Sequence, residues 1–471
     1  MNWISASDIH SFRHCVRRFW YAHHPPAGLL ETDQDPFEAL QQEMGSTHEQ
    51  AVLSHLAQGC QVGVAQSVEQ TNELMRSGIE IIYQAQLVDE TRRLFGKPDF
   101  LFRTDEGDYQ AADAKLARSM KTRTGIQIAF YRQLLGNEHQ ALVFLGDGSV
   151  AEVGVEYDTK LEEFLRKARE IVDCEVRPSA HYSVSKCSQC LFHEICKSEF
   201  EQEEELSLLY GIHGRSVPAL HGAGIETISD LAAREPHTIP DIPHLKRADK
   251  KVRAVLQART WKSGKLSKLK EIELPGGTWV HFDVESNPFN DAGMDHVYLW
   301  GLLKPGYGNS DFDYAWSDSI QDDRKAFEEF LGLVEQYRSR WSDLRLIHFS
   351  PFERTQLKSY SRRYELRDHP AILWLLDEEH GPLFDIKTAV MDCLILPLGR
   401  YGLKDICKHP ALVNFQWEDE GSGSQWSIVQ YINFLNEKNL EKRKLIKEKI
   451  LTYNRDDVLA TRKLEEWLRS L

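Results

Sequence analysis

The chain has 471 residues, 41% of them hydrophobic and 27% charged, with a formal net charge of −15. That composition predicts a folded α/β protein of roughly three domains, and the acidic balance excludes a protein that coats nucleic acid indiscriminately, since phosphate binding draws on Lys and Arg. No apolar run is long enough to span a membrane, no GxxxxGK[ST] phosphate loop marks a helicase, and the N-terminus lacks the basic start and apolar core of a signal peptide, so a cytoplasmic location with no membrane partner is expected.

Ser5 to His23 reads as one helix, with Ser5 or Ser7 as its cap and Cys15 in its middle. Gly45-Ser-Thr-His48-Glu49 falls in a second helical stretch. Gly96 to Leu116 then reads as two adjacent strands: Phe100-Leu-Phe102 is apolar, Thr104 to Asp108 is a polar turn, and Tyr109 to Leu116 alternates. Residues two apart on a strand face one side, so Asp113 and Lys115 point together, and pairing of the strands brings Asp99 near them. Two carboxylates offer hard oxygen ligands to a divalent ion, and a lysine beside them can steady developing negative charge. The plainer alternative is a surface hairpin with an ion pair. Gln127 and Tyr131, four apart in a helical stretch, share a face.

Pro98-Asp99 followed by Asp113-Ala-Lys115 resembles the motif of PD-(D/E)XK nucleases, and the ordered set with His48, Gln127 and Tyr131 resembles their RecB-like branch. The resemblance implies that His48, Asp99 and Asp113 bind metal, that Lys115 assists catalysis, and that Gln127 and Tyr131 position the substrate strand.

Ala141 to Leu145 and Val150 to Val155 read as strands about a Gly146-Asp-Gly148 turn, and Leu161 to Val172 has helical spacing. Cys187-Ser-Gln-Cys190 and Cys196 put three cysteines within ten residues, which in a reducing compartment points to a metal rather than to disulfides. Cys15 is the candidate fourth thiolate. One cysteine before the nuclease core and three after it resembles the RecB-like nucleases that carry a [4Fe-4S] cluster, and implies that Cys15, Cys187, Cys190 and Cys196 hold one; a structural zinc on the same thiolates is the rival. Cys60, Cys174, Cys393 and Cys407 are read as packing residues.

After the acidic run Glu201 to Glu205, Val217 to Leu231 places two short helices around His221-Gly-Ala-Gly-Ile225, and Ile242 to Ala258 is a basic helical stretch. The pattern resembles helix–hairpin–helix DNA-binding modules and equally suits a packing spacer. Basic clusters at Arg17-Arg18, Arg118 to Arg123 and Lys246 to Lys270 read as solvated faces more readily than as binding surfaces.

Trp279 to Ser286 reads as a strand with Asp283 and Glu285 on one face. His296 to Leu303 and Leu344 to Phe349 are two more, the latter running into Ser350-Pro-Phe-Glu353. Near the end, Tyr453 and Asp457 stand one helical turn apart, while Asp456 points elsewhere. This order resembles the DEDD exonucleases of the RNase H-like fold, with Glu353 where Asp is usual. It implies that Asp283, Glu285, Glu353 and Asp457 hold two divalent ions and that Tyr453 orients water. Asp385 is a weaker candidate for support of the site.

The expected architecture is therefore α/β: a RecB-like PD-(D/E)XK domain with an iron–sulfur staple over residues 1–200, a helix–hairpin–helix-like region over 201–262, and an RNase H-like domain over 263–471. The expected activity is a DNA nuclease using Mg²⁺ or Mn²⁺, exonucleolytic on single-stranded ends, with a separate helicase as a candidate partner. An RNA-directed exonuclease, and a nucleic-acid-binding protein with one live site, are the alternatives.

Overall fold

The computed structural model describes residues 2–26, 35–289, 293–306, 311–418 and 424–471. The chain divides into two compact units, Met1–Glu199 and Phe200–Leu471. The segment 201–262 belongs to the second of these.

The first unit is built on a six-stranded mixed sheet in the order Val62–Val64, Ile81–Tyr83, Phe100–Arg103, Tyr109–Lys115, Ala141–Leu145, Val150–Val153. Phe100–Arg103 and Tyr109–Lys115 pair antiparallel, Phe100 opposite Ala112 and Arg103 opposite Tyr109. The Ala141–Leu145 strand pairs parallel on the other side, Asp113 opposite Val143. One face carries the Thr122–Leu135 and Asp158–Val172 helices over a core that includes Leu101, Ala111, Ile128, Val143 and Phe164. Gly96 admits the first of these helices: a β-carbon there would meet Tyr131 at 2.8 Å and Leu134 at 2.6 Å.

The single N-terminal helix expected from the sequence is two. Asp8–His14 and Val16–His23 are separated by Cys15, which is extended at φ −163° and ψ 130°. Cys15 closes the first helix by donating to Ser11 O and opens the second by accepting from Phe19 N, both at 3.0 Å. Arg17, expected on a solvated face, is 3% exposed and pairs with Glu199 at 3.3 Å. Tyr21 Oη donates to the same carboxylate, and Trp20 Nε1 donates to Cys174 O. Cys60 and Cys174 are exposed, against their reading as packing residues, because both lie on turns past helix ends; Cys393 and Cys407 are buried.

The second unit centres on a five-stranded sheet, Phe312–Trp316, His296–Leu303, Thr278–Asn287, Leu344–His348, Leu383–Asp385. Three strands run antiparallel to their neighbours and two are added parallel. His296–Leu303 is buried at every position, as a strand covered on both faces must be. The Asp323–Arg340 helix packs on one face and the 31-residue Leu440–Ser470 helix on the other. The Val217–Gly222 and Ile228–Ala233 helices precede the longer Ala248–Ser263 helix. Gln257 on that helix donates to Leu396 O at 2.8 Å and Leu398 O at 3.1 Å, fastening it to the sheet-bearing part of the unit. No helix among the described residues is long and apolar enough to cross a membrane.

Candidate active sites

In the first unit, the antiparallel register locks Asp99 and Asp113 into each other's backbone. Asp113 Oδ1 accepts from Asp99 N at 3.0 Å, and Asp99 Oδ2 accepts from Ala114 N at 2.8 Å. Lys115 Nζ lies 2.7 Å from Asp113 Oδ2, and Asp113 is 1% exposed. Burial, reinforced by the charge of Asp113, pushes the Asp99 carboxyl up to about 8. Burial opposes the Lys115 ammonium, yet Asp113 and Asp99 outweigh it and hold its pKa above the ordinary value. Gln127 Nε2 donates to Tyr131 Oη at 2.9 Å, so these two do share a face, and the Tyr131 ring is buried within reach of the Asp113 charge.

His48 lies on the Pro36–Leu56 helix with Nε2 3.4 Å from Phe144 O. Among the described residues its nitrogens do not join Asp99 and Asp113 in a ligand group within 4.8 Å. The neighbouring Glu49 is the residue of that helix whose charge acts on both Asp99 and Lys115, and it accepts a hydrogen bond from Gln84 Nε2. Glu49 is not among the residues expected from the sequence. Neighbours on a helix differ by about 100° in direction, and only the packing of the helix decides which of them faces the strands.

In the same unit, Cys15, Cys187, Cys190 and Cys196 come together. The charges of Cys15 and Cys190 act on both Cys187 and Cys196, and burial raises the pKa of Cys187, Cys190 and Cys196, the last to about 12. No three of these sulfurs lie within 4.8 Å of one another.

In the second unit, carboxylate oxygens of Asp283, Glu285 and Asp457 lie within 4.8 Å of one another. The first two sit on the Thr278–Asn287 strand, and Asp457 comes from the long C-terminal helix. Burial pushes Asp283 well above the usual carboxylate range, with Glu285, Asp457 and Glu353 adding to the shift; Glu285 rises to about 8 through burial and the charge of Asp457. Hard oxygen donors in this density fit a divalent cation, whose charge would offset the cost of burying them ionised. Glu353 is 2% exposed, its charge acts on Asp283, and its Oε2 lies 3.3 Å from His348 Nδ1. Asp385 Oδ1 accepts from Ser350 N at 3.0 Å, which fixes the turn leading to Glu353. Tyr453 is buried, and the charge of Asp457 acts on its hydroxyl. Asp456 accepts from Glu418 N at 2.9 Å, away from the cluster.

Three further residues complete the surroundings. Asn454 Nδ2 donates to Asp283 Oδ2 at 2.8 Å, in space that Gly301 leaves open: a β-carbon on Gly301 would lie 1.8 Å from Asn454 Oδ1. Trp417 Nε1 donates to Asp457 Oδ1 at 2.7 Å. Lys404 Nζ lies 4.6 Å from the Tyr453 ring centre, and burial lowers its pKa against the pull of Asp457. Asn454 was legible, since it precedes Asp457 by three residues on one helix. Trp417 arrives from a connecting segment and leaves no sequence signal.

The family model of the PD-(D/E)XK nuclease superfamily matches residues 25–197, and that of the RNase H superfamily matches residues 280–469. No curated protein matches the sequence. A solved structure titled "Crystal structure of SSO0001" is similar over 42% of this chain and 86% of its own, at 15% identity and a TM-score of 0.22. The chain joins an N-terminal domain of the PD-(D/E)XK nuclease superfamily to a C-terminal domain of the RNase H superfamily.

Proposed function

We propose that the chain hydrolyses phosphodiester bonds of DNA at two metal-dependent sites, acting as an exonuclease on single-stranded ends. Two domains of nuclease superfamilies support a metal-dependent phosphodiester hydrolase. The observation that carries the reading furthest is the convergence of Asp283, Glu285 and Asp457 oxygens within 4.8 Å.

When bound, Mg²⁺ or Mn²⁺ supplies charge that polarises the phosphoryl group and activates water. Asp283, Glu285, Glu353 and Asp457 would hold it in the second unit. In the first unit Asp99 and Asp113 would do so, with His48 from the Pro36–Leu56 helix and with Glu49 beside it. Lys115, held 2.7 Å from Asp113, donates to the oxygen that gains charge as the bond breaks. Tyr453 orients the attacking water against Asp457, while Gln127 and Tyr131 place the strand.

Cys15, Cys187, Cys190 and Cys196 are proposed to hold a [4Fe-4S] cluster. The donor set is four thiols, the ligand type of such clusters. A single zinc would need all four thiolates about 3.8 Å apart, given Zn–S bonds of about 2.3 Å in a tetrahedron, and no three of the sulfurs lie within 4.8 Å of one another. A brown protein whose visible absorption disappears in Cys187→Ser is expected, and a colourless protein with one zinc per chain would overturn the assignment.

The deciding experiment is cleavage of strands labelled at either end, DNA and RNA in parallel, by wild type, Asp113→Ala, Asp283→Ala and the double variant. Each single variant is expected to lose part of the activity on single-stranded DNA and the double variant all of it. Cleavage of RNA alone, or full activity in the double variant, would sink the proposal.

A further inference from the structure

The Phe352–Arg363 helix begins at the C-terminal carboxylate cluster and carries cations away from it. Glu353 faces inward in its first turn. Arg354, Lys358 and Arg362 follow at four-residue intervals, so they line one side of the helix. At a rise of 1.5 Å per residue this stripe runs about 12 Å. Its far half borders a groove of about 500 Å³, rimmed by Lys358, Arg362 and Arg367 and floored by Ile372, Leu373 and Leu376. Leu373 is 58% exposed, so the groove offers solvent an apolar side chain beside its cations.

Lys358, Arg362 and Arg367 form no ion pair among the described residues. Asp377 is the acid lining the groove, and its Oδ1 is engaged by Glu379 N at 2.9 Å and His380 N at 2.8 Å. Arg354 meets Glu378 at 3.8 Å. In a chain of net charge −15, three cations without acid partners around an apolar floor suit a flexible polyanion with apolar faces. A single nucleic-acid strand has that chemistry: phosphates for the rim and base faces for the floor. An acidic peptide would match the rim but has no reason to begin at a carboxylate cluster.

We infer that the groove and its stripe hold single-stranded DNA about three nucleotides from the bond cut at the C-terminal site, given about 3.4 Å per phosphate along a stacked strand. The inference rests on the nuclease reading above. The test uses the full chain and the triple variant Lys358→Glu, Arg362→Glu, Arg367→Glu. Binding of a labelled 20-nucleotide thymidylate is read by anisotropy against salt, with Asp113→Ala and Asp283→Ala added to both proteins to stop cleavage. Cleavage of the same strand and of a trinucleotide is read in Mn²⁺ with Asp113→Ala alone.

The triple variant is expected to bind the long strand at least about tenfold more weakly, and the slope of log affinity against log salt to fall by about 2, at about 0.7 per lost phosphate contact. Trinucleotide cleavage is expected to fall less than cleavage of the long strand, since at these rises a trinucleotide reaches Lys358 but not Arg362 or Arg367. An unchanged salt slope in a variant that melts with its parent overturns the inference, as does equal loss of short- and long-strand cleavage. Should the charge reversals prevent folding, the corresponding Gln variants give the same slope test with a smaller change. If the parent binds the strand yet cuts nothing, the nuclease reading falls while the slope still decides the groove.

Discussion

The two carboxylate sites solve one electrostatic problem differently. In the N-terminal unit the buried Asp113 is answered by a lysine 2.7 Å away and by a backbone N–H from Asp99. In the C-terminal unit three carboxylates crowd together; neutral donors bond two of them, Asn454 on Asp283 and Trp417 on Asp457, and the single charge of Lys404 acts on all three. The first site is part-neutralised by its own chain. The second leaves most of its negative charge for a cation to balance, and should depend on metal more steeply.

The largest effects come from removing one carboxylate at each site. Asp283→Ala should lower cleavage by the C-terminal site about a thousandfold, the equivalent of several kcal/mol of metal-borne charge stabilisation. Asp113→Ala should do the same for the N-terminal site. Titrating Mn²⁺ into each single variant isolates the other site: the site left by Asp113→Ala should need more ions per chain and show the steeper dependence. Identical metal titrations for the two variants would erase the contrast.

Lys115→Ala should cost the N-terminal site about a hundredfold in kcat, measured with Asp283→Ala in place, because it removes one positioned charge and not the metal ligands. Lys115→Arg should not restore the rate, since a planar guanidinium cannot reproduce a compact ammonium 2.7 Å from Asp113. Full activity in Lys115→Ala would reduce that lysine to a structural counter-ion.

Stability against pH tests the same difference without any reaction. Glu285 has a folded-state pKa near 8, raised above its ordinary value by burial and Asp457. The folded chain therefore binds that proton more tightly than the unfolded one. The resulting stabilisation is complete below the ordinary carboxylate pKa and is lost as pH rises through about 8. With chelator present, Glu285→Gln should melt progressively higher relative to wild type between pH 5 and pH 9, and added Mn²⁺ should favour wild type again. A Tm difference that stays flat with pH would contradict the burial of an uncompensated charge.

Much of this arrangement was legible in the sequence because it follows local periodicity. Asp113 and Lys115 share a strand face by a spacing of two, and Tyr453 and Asp457 share a helix face by a spacing of four. The strands carrying Asp113, Asp283 and Glu285, and the one that Asp99 immediately precedes, lie close to where alternation and apolar runs put them. Tertiary choices were not legible. The break at Cys15 has no glycine or proline to announce it, because an ordinary extended residue makes it. Whether His48 or Glu49 faces the strands depends on how a 21-residue helix is rolled, which a nearly unpatterned sequence leaves open. Trp417 reaches Asp457 across forty residues of chain. Arg17 looked like a surface charge beside Arg18, and only the fold supplies the Glu199 that buries it.

The smallest expected effect concerns the turn that delivers Glu353. Ser350 stands at φ +114°, a region in which L residues are strained. Asp385 holds its N–H and His348 Nδ1 lies 2.7 Å from its carbonyl oxygen, so the conformation is fixed from both sides of the residue. Ser350→Gly should relieve the strain and stabilise the chain by about 1 kcal/mol, less than the strain itself because glycine also frees the unfolded state. At the size of this unit that is a rise in Tm of about 2–4 °C. The N-terminal site has no such turn beside Asp99 or Asp113, where every residue from Pro98 to Arg103 and from Tyr109 to Lys115 has negative φ. Its cleavage should therefore be unmoved by the substitution, while the C-terminal rate changes only by as much as Glu353 loosens. A fall in Tm would mean that the Ser350 hydroxyl, 3.4 Å from Glu353, contributes more than the strain removes.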